Sequence, residues 1–271
     1  MQFAEASNLD WNVVSAELSY PTPDGYQTVD NRVALLRTDT FAQIGMVSPT
    51  YEIFQNSSLK ELVNPMVEEG MLEITNIGEI SGGRKVFIQA KMAQEFVVVG
   101  EETQAMLTFL NSHDGCTPLS AGVTSTRVIC QNTFAQAMTD MDSRLRHLVG
   151  INEKAVTIQE TANYVNAGMK KYQEAAEVLS KTMVSGDDMD RILAHAFKKE
   201  AAKVRARETI QNLFRNGRGN EGKSLWDAVN GITEYVTHQS KKTTESRFTY
   251  ANFGAGAEIS RRAMDRALAI V

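Results

Sequence analysis

Arg127-Val128-Ile129-Cys130-Gln131-Asn132-Thr133 is the stretch on which the reading of the fold turns. Before it, β-branched and aromatic residues recur in short runs separated by turn residues. After it, apolar residues recur at helical spacing, with Asn132 placed as an N-cap. A chain whose hydrophobic period changes once from two to 3.6 reads as α+β, with an antiparallel sheet first and helices second. The expected organisation is therefore a sheet-rich domain over 1–130 and a helical region with a basic face over 131–271.

Upstream of this point, 32–37 and 43–54 flank Thr38-Asp39-Thr40 as a hairpin, and Asp24-Gly25 marks a turn just before. Leu59, Leu62, Val63 and Met66 share one helix face, Ser58 with Glu61 matches a capping box, Pro65 would kink the helix and Gly70 would end it. Ser81-Gly82-Gly83-Arg84 separates strands over 71–80 and 85–92. Further strands are expected at 95–99, 104–111, 119–123 and 126–130. Downstream, helices are expected near 133–148, 153–184, 188–214, 224–238 and 255–269. In the second of these, Ile158, Ala162, Val165, Met169, Tyr172, Ala176, Leu179 and Met183 alternate spacings of four and three, the seam either of a long helix packed on its neighbours or of a homo-oligomeric coil.

The 271 residues, 42% hydrophobic, are enough for a sizeable core and exclude a wholly disordered chain. No apolar run approaches the ~20 residues of a membrane span, and Met1-Gln2-Phe3-Ala4-Glu5 has neither the cationic start nor the apolar stretch of a signal peptide. A cytoplasmic protein of a bacterial host, with no membrane partner and with Cys116 and Cys130 reduced, is the expectation. The net charge of -5 hides an asymmetry. Residues 1–143 hold 7 Lys+Arg against 18 Asp+Glu, and 144–271 hold 21 against 15. One sign in each half points to a partner of the other sign.

Several blocks carry a resemblance. Asn31-Arg32, Leu36-Arg37-Thr38-Asp39, Tyr51-Glu52-Ile53, Gly82-Gly83-Arg84, Asn111-Ser112-His113-Asp114-Gly115, Arg127 with Cys130-Gln131-Asn132-Thr133, and Trp226-Asp227-Ala228-Val229-Asn230 with Thr233-Glu234-Tyr235-Val236 and His238 resemble, in collinear order, the phage/plasmid-like proteins, a domain of unknown function of the 932 type. The resemblance implies a gene carried by a phage, prophage or plasmid. It transfers no activity to any residue.

Three motifs bear on chemistry. Gly217-Arg218-Gly219-Asn220-Glu221-Gly222-Lys223-Ser224 satisfies G-x-x-x-x-G-K-[ST], a loop that cradles phosphates when a buried strand precedes it. Here a helical pattern precedes it, so a helix–helix loop is the leading reading and a nucleotide hydrolase the rival. His113-Asp114-Gly115-Cys116 contains base, acid and nucleophile types, but neighbours in sequence seldom point to one place, and a structural turn accounts for them. Asp187, Asp188 and Asp190 suit a helix start. No zinc spacing joins the two cysteines and four histidines, so neither a metal nor a cofactor is expected.

The remaining signal is basic. Lys199, Lys203 and Arg207 recur on one helical stripe, with Lys198 and Arg205 beside it and Arg215, Arg218 and Lys223 following in the glycine loop. With few carboxylates near, this set is expected to track nucleic-acid phosphates, DNA before RNA. Phe197, Phe214 and Trp226 are the nearby aromatics for base stacking or for core packing. The expected function is a non-enzymatic nucleic-acid-binding protein, in the manner of a single-strand annealing factor. That layout of sheet followed by helices is similar to phage annealing proteins at the level of fold alone. The alternatives are an enzyme and an oligomeric protein that counters a host defence.

Overall fold

The structure is a computed structural model and describes residues 9–117, 119–127, 133–135, 158–241 and 243–271. It is α+β, with antiparallel sheets first and helices second. β1 (Val13–Thr22), β2 (Gly25–Arg37) and β3 (Gln43–Val47) form a three-stranded sheet in that order. α1 (Asn56–Glu68) follows. β4 (Leu72–Ile80), β5 (Lys85–Val98), β6 (Glu101–Ser112), β7 (Ser120–Arg127) and β8 (Thr133–Ala135) form a second sheet, also in chain order. Then come α2 (Ile158–Lys181), α3 (Gly186–Ala196), α4 (Glu200–Asn216), α5 (Leu225–Glu234), a π-helical turn at Tyr235–Gln239, α6 (Thr244–Phe253) and α7 (Ala255–Leu268). Among the described residues no helix is long and apolar enough to cross a membrane.

The chain forms two compact units. The first takes in the chain through residue 93 and residues 107–122; the second takes in 94–106 and the helices from residue 164 on. In the first, Leu35, Leu59, Val63, Met66, Val86, Ile88 and Leu107 are buried between strands and α1. In the second, the seam expected of the long helix is buried from Val165 to Leu179, where Val165, Met169, Tyr172, Ala176 and Leu179 are all at most 2% exposed, while Met183, beyond the end of α2, is 70% exposed and does not continue it. Tyr172 meets Trp226 of α5 edge to face, with ring centroids 5.7 Å apart. Gly168 faces Val123, where an added Cβ would make ordinary van der Waals contact at 3.9 Å. The seam therefore packs inside the second unit, which is the intramolecular reading.

Several boundaries differ from expectation, each for a tertiary reason. β1 was not expected, because its Ser, Glu and Pro residues dilute the alternation. β3 ends at Val47, so 48–54 is not strand. The runs at 85–92 and 95–99 are one strand, β5, turned back by Val99 and Gly100, both at positive φ as a two-residue hairpin turn requires. The runs at 119–123 and 126–130 join as β7 within the described residues. The helix expected at 133–148 does not begin at Thr133: Thr133–Ala135 pair with Thr124–Thr126 as β8, because the open edge of β7 satisfies their backbone groups; 136–148 lies outside the described residues, as do 153–157 of the expected long helix. α1 starts at Asn56 with Gln55 as N-cap and no side-chain cap, so the Ser58–Glu61 box is not made. Gly70, at φ 71°, ends that helix as expected, and Pro65 lies inside it.

The helix expected over 188–214 is two helices. Phe197 turns to an extended conformation, is buried, and packs edge to face on Tyr235 at 6.4 Å. Neither Gly nor Pro marks that break. α6 has a weak apolar period and was not expected.

Because Met169 and Leu179 are wholly enclosed, Met169→Asp or Leu179→Asp should lower unfolding stability by several kcal/mol in urea titrations. A change smaller than about 1 kcal/mol would show that the seam can rotate to water.

Candidate functional site

The blocks that are scattered between residues 37 and 115 of the sequence converge in the first unit on His113. This histidine, at the end of β6, is fully buried. Its Nε2 lies 3.0 Å from Oδ1 of Asn56, also fully buried, at the first turn of α1. An amide oxygen only accepts, so Nε2 carries the proton. The orientation of that amide is set by its other end, where Nδ2 donates to the carbonyl of Trp11 at 2.9 Å. The Trp11 ring then meets the imidazole edge to face at 5.7 Å, and the Arg37 guanidinium lies over the indole at 4.2 Å from its centre. Arg37 is held by two carboxylates. Its Nε and Nη2 donate to Asp39 at 2.9 and 2.8 Å, and its Nη1 donates to Glu79. Asp39 foremost, with Glu79, keeps the guanidinium firmly charged against the opposing effect of burial.

The rest of the motif closes around this core. The His113 amide donates to the Arg84 carbonyl at 2.8 Å, and Tyr51 Oη donates to the Ser112 carbonyl at 2.8 Å. Burial, with Asp114 nearby, pushes the Tyr51 phenol above its usual range. Asn111 Nδ2 donates to the Phe54 carbonyl at 2.9 Å. Gly45 is required because the His113 carbonyl occupies the space of a Cβ. Asp114 Oδ1 accepts the Cys116 amide at 2.9 Å, a local turn, and Gly115 stands at φ 71°. Cys116 is exposed and reduced. His113, Asp114 and Cys116 thus point to three environments, interior, turn and surface, and form no catalytic triad. Trp11 and Asn56, which complete the cluster, lie outside the quoted motif blocks; Trp11 being one of two tryptophans is the only signal that could have drawn attention to it.

In the second unit the glycine loop is an amide nest that is already filled. The amides of Glu221, Lys223 and Ser224 donate to the Asp227 carboxylate at 3.2, 3.0 and 2.9 Å, and the Ser224 hydroxyl donates to it at 2.9 Å. The Asp227 amide returns a bond to Ser224 Oγ at 3.2 Å, closing a capping box at the start of α5. The chain's own carboxylate therefore sits where a phosphate would. Lys223 Nζ pairs with Glu221 at 3.0 Å, which raises its pKa, and does not reach over the loop. The segment before the loop is α4, so the strand that a nucleotide-binding loop needs is replaced by a helix. Among the described residues no group of acids, histidines and cysteines could hold a metal. Asp187 and Asp188 begin α3, where Ser185 and Asp188 form a second capping box.

The basic residues divide into two sets. Ala206, Ile210 and Leu213 turn inward, and this rotation of α4 sets Lys203 beside the buried stripe, where it pairs with Glu200 at 2.8 Å. Arg207 pairs with Asp190, and Lys223 with Glu221. Lys198, Lys199, Arg205, Arg215 and Arg218 are exposed and make no ion pair with another described residue, although Lys198 lies close enough to Glu258 to help hold its carboxyl low, after Arg261 and Arg262. Trp226 is buried at the start of α5 and Phe197 is buried too, while Phe214 is half-buried, so none of the three offers a free stacking face. His238 is exposed on the π-helical turn. Arg127 ends β7, and Cys130, Gln131 and Asn132 lie outside the described residues. Of the described family-motif residues, His113, Asp114 and Gly115 lie in one unit, and Arg127, Trp226 and His238 in the other.

A family model, described as "Domain of unknown function (DUF932)", matches residues 43–265. The chain belongs to that family. No curated protein and no solved structure matches it.

Two outcomes follow from this geometry. His113→Leu strands the buried Asn56 oxygen, so it should destabilise the first unit by about 1–3 kcal/mol in urea denaturation. Asp227→Ala empties the nest and removes the cap, with an expected loss of about 1–2 kcal/mol, while ATP hydrolysis stays at background for wild type, Asp227→Ala and Lys223→Ala alike. A wild-type turnover abolished by Lys223→Ala would overturn the reading of the loop as a cap.

Proposed function

We propose that the chain is a non-enzymatic nucleic-acid-binding protein of a phage, prophage or plasmid, acting in the host cytoplasm as a single-strand binding or annealing factor. The observation that carries this reading is the set of five exposed cations, Lys198, Lys199, Arg205, Arg215 and Arg218, that flank and line α4 and make no ion pair with another described residue. A helix of 17 residues is about 25 Å long, so cations at both its ends can follow a phosphate backbone over several nucleotides. The exposed acids of the other chain half disfavour the same ligand there, which leaves one face for it. A non-enzymatic role is supported by the filled nest of the glycine loop and by the interior placement of His113.

A salt series with purified protein tests this. If the five cations contact five phosphates, log K against log salt should fall with a slope of about -4 to -5 on duplex DNA and less steeply on single strands. Reversing Lys199, Arg215 and Arg218 to Glu should weaken binding to every sequence alike and flatten the slope, since phosphate contacts position without specifying. Affinity and slope both unmoved by the triple reversal would leave the basic face as a solvated surface and move the interaction-protein reading to first place.

A further inference from the structure

The hairpin of β1 and β2 outgrows its sheet. β3 pairs with β2 only from Val33 to Leu36, whereas β1 and β2 continue to pair out to Thr22 opposite Gly25. Past the rung of Glu17 and Val33 the ribbon is two strands wide and runs about 17 Å further, taking 3.3 Å per residue. Not one residue from Glu17 to Arg32 is buried, on either face. Tyr26 is 81% exposed and Tyr20 46%, with the Tyr20 hydroxyl tied only to Gln27 on the neighbouring strand. A two-stranded ribbon bare on both sides is marginal in water, and two tyrosines held out from the body are anchors of the kind that interfaces use.

Charge selects the partner. The arm carries Glu17, Asp24 and Asp30 against Arg32 alone. Nucleic acid would be repelled by it, and so would an anionic membrane surface. What fits is a cationic protein face, and this chain displays one in Lys198, Lys199, Arg205, Arg215 and Arg218. The seam of α2 from Val165 to Leu179 is buried within its own unit, whereas the arm is exposed on both faces and can serve self-association.

We propose that the arm Glu17–Arg32 docks on the α4 face of a second copy of this chain, Asp24 and Asp30 meeting its cations and Tyr20 and Tyr26 packing beside them. Arm and receiving face are different surfaces, so the contact either closes reciprocally in a two-fold pair or runs head-to-tail into a ring or a filament. The receiving face is the one assigned above to phosphate, so the proposal rests on that face being open, and nucleic acid competes with the arm for it.

Sedimentation velocity of the full-length protein without nucleic acid, over a concentration and a salt series, tests the proposal. The wild type should associate reversibly, and less as salt rises. D24K/D30K and K199E/R215E/R218E should each sediment as monomers with unchanged far-UV circular dichroism, since all five positions are exposed. Mixing the two variants should restore association, because the intact arm of one then meets the intact face of the other, and the reversed arm meets the reversed face. A wild type that stays monomeric throughout, or a D24K/D30K protein that associates as the wild type does, overturns the arm. Failure of the mixture to associate overturns the assigned receiving face. DNA binding by monomeric D24K/D30K keeps the two readings apart: a wild type that self-associates as stated while D24K/D30K binds no DNA refutes the proposed function and leaves the arm standing.

Discussion

One hydrogen bond between two side chains with no exposure to water, His113 Nε2 to Asn56 Oδ1, ties together the three parts of the first unit. Asn56 belongs to α1, His113 ends a strand of the larger sheet, and Trp11, whose carbonyl takes the other end of the Asn56 amide, leads into the smaller sheet. In a low-dielectric interior each of these groups is costly unless paired, so the bond specifies one arrangement of helix and strands and penalises others. The Arg37 guanidinium over Trp11, clamped by Asp39 and Glu79, caps the same point from the solvent side. The blocks quoted from Arg37 to Gly115 surround this bond, and their contacts there hold helix and strands together.

The second unit depends on two devices of a different kind. The α2 seam supplies apolar burial without polar atoms, and the Ser224–Asp227 box fixes where α5 begins. That box also decides the meaning of the glycine loop. Three amides converge as they would on a phosphate, but a carboxylate three residues into α5 reaches them first, at no entropic cost of binding a ligand. Similar local sequence therefore serves a cap where a helix precedes the loop and a phosphate site where a strand does. Among the described residues two exposed features of opposite charge stand apart from the seam and the nest, the cations around α4 and the bare hairpin.

Much of this was legible in the sequence. The change of hydrophobic period around Cys130 determined the α+β class, because burial on a pleated sheet and on a helix demand different spacings. The Ser81–Arg84 turn, the Gly70 stop and the Val165–Leu179 part of the α2 seam each follow from local chemistry, namely which residues tolerate positive φ and which faces must be buried. Tertiary structure alone decided the rest. The break at Phe197 arises because its ring packs on Tyr235, 38 residues away in no local pattern, and β8 forms because β7 offers an open edge. Trp11 and Asn56 join His113 across 102 and 57 residues of chain, a distance over which no sequence period carries information. The partition of the cations into paired and free depended on the rotation of α4 about its axis, set by Ala206, Ile210 and Leu213 meeting the core. Sequence spacing places residues on one face of a helix, but only packing determines which way that face looks.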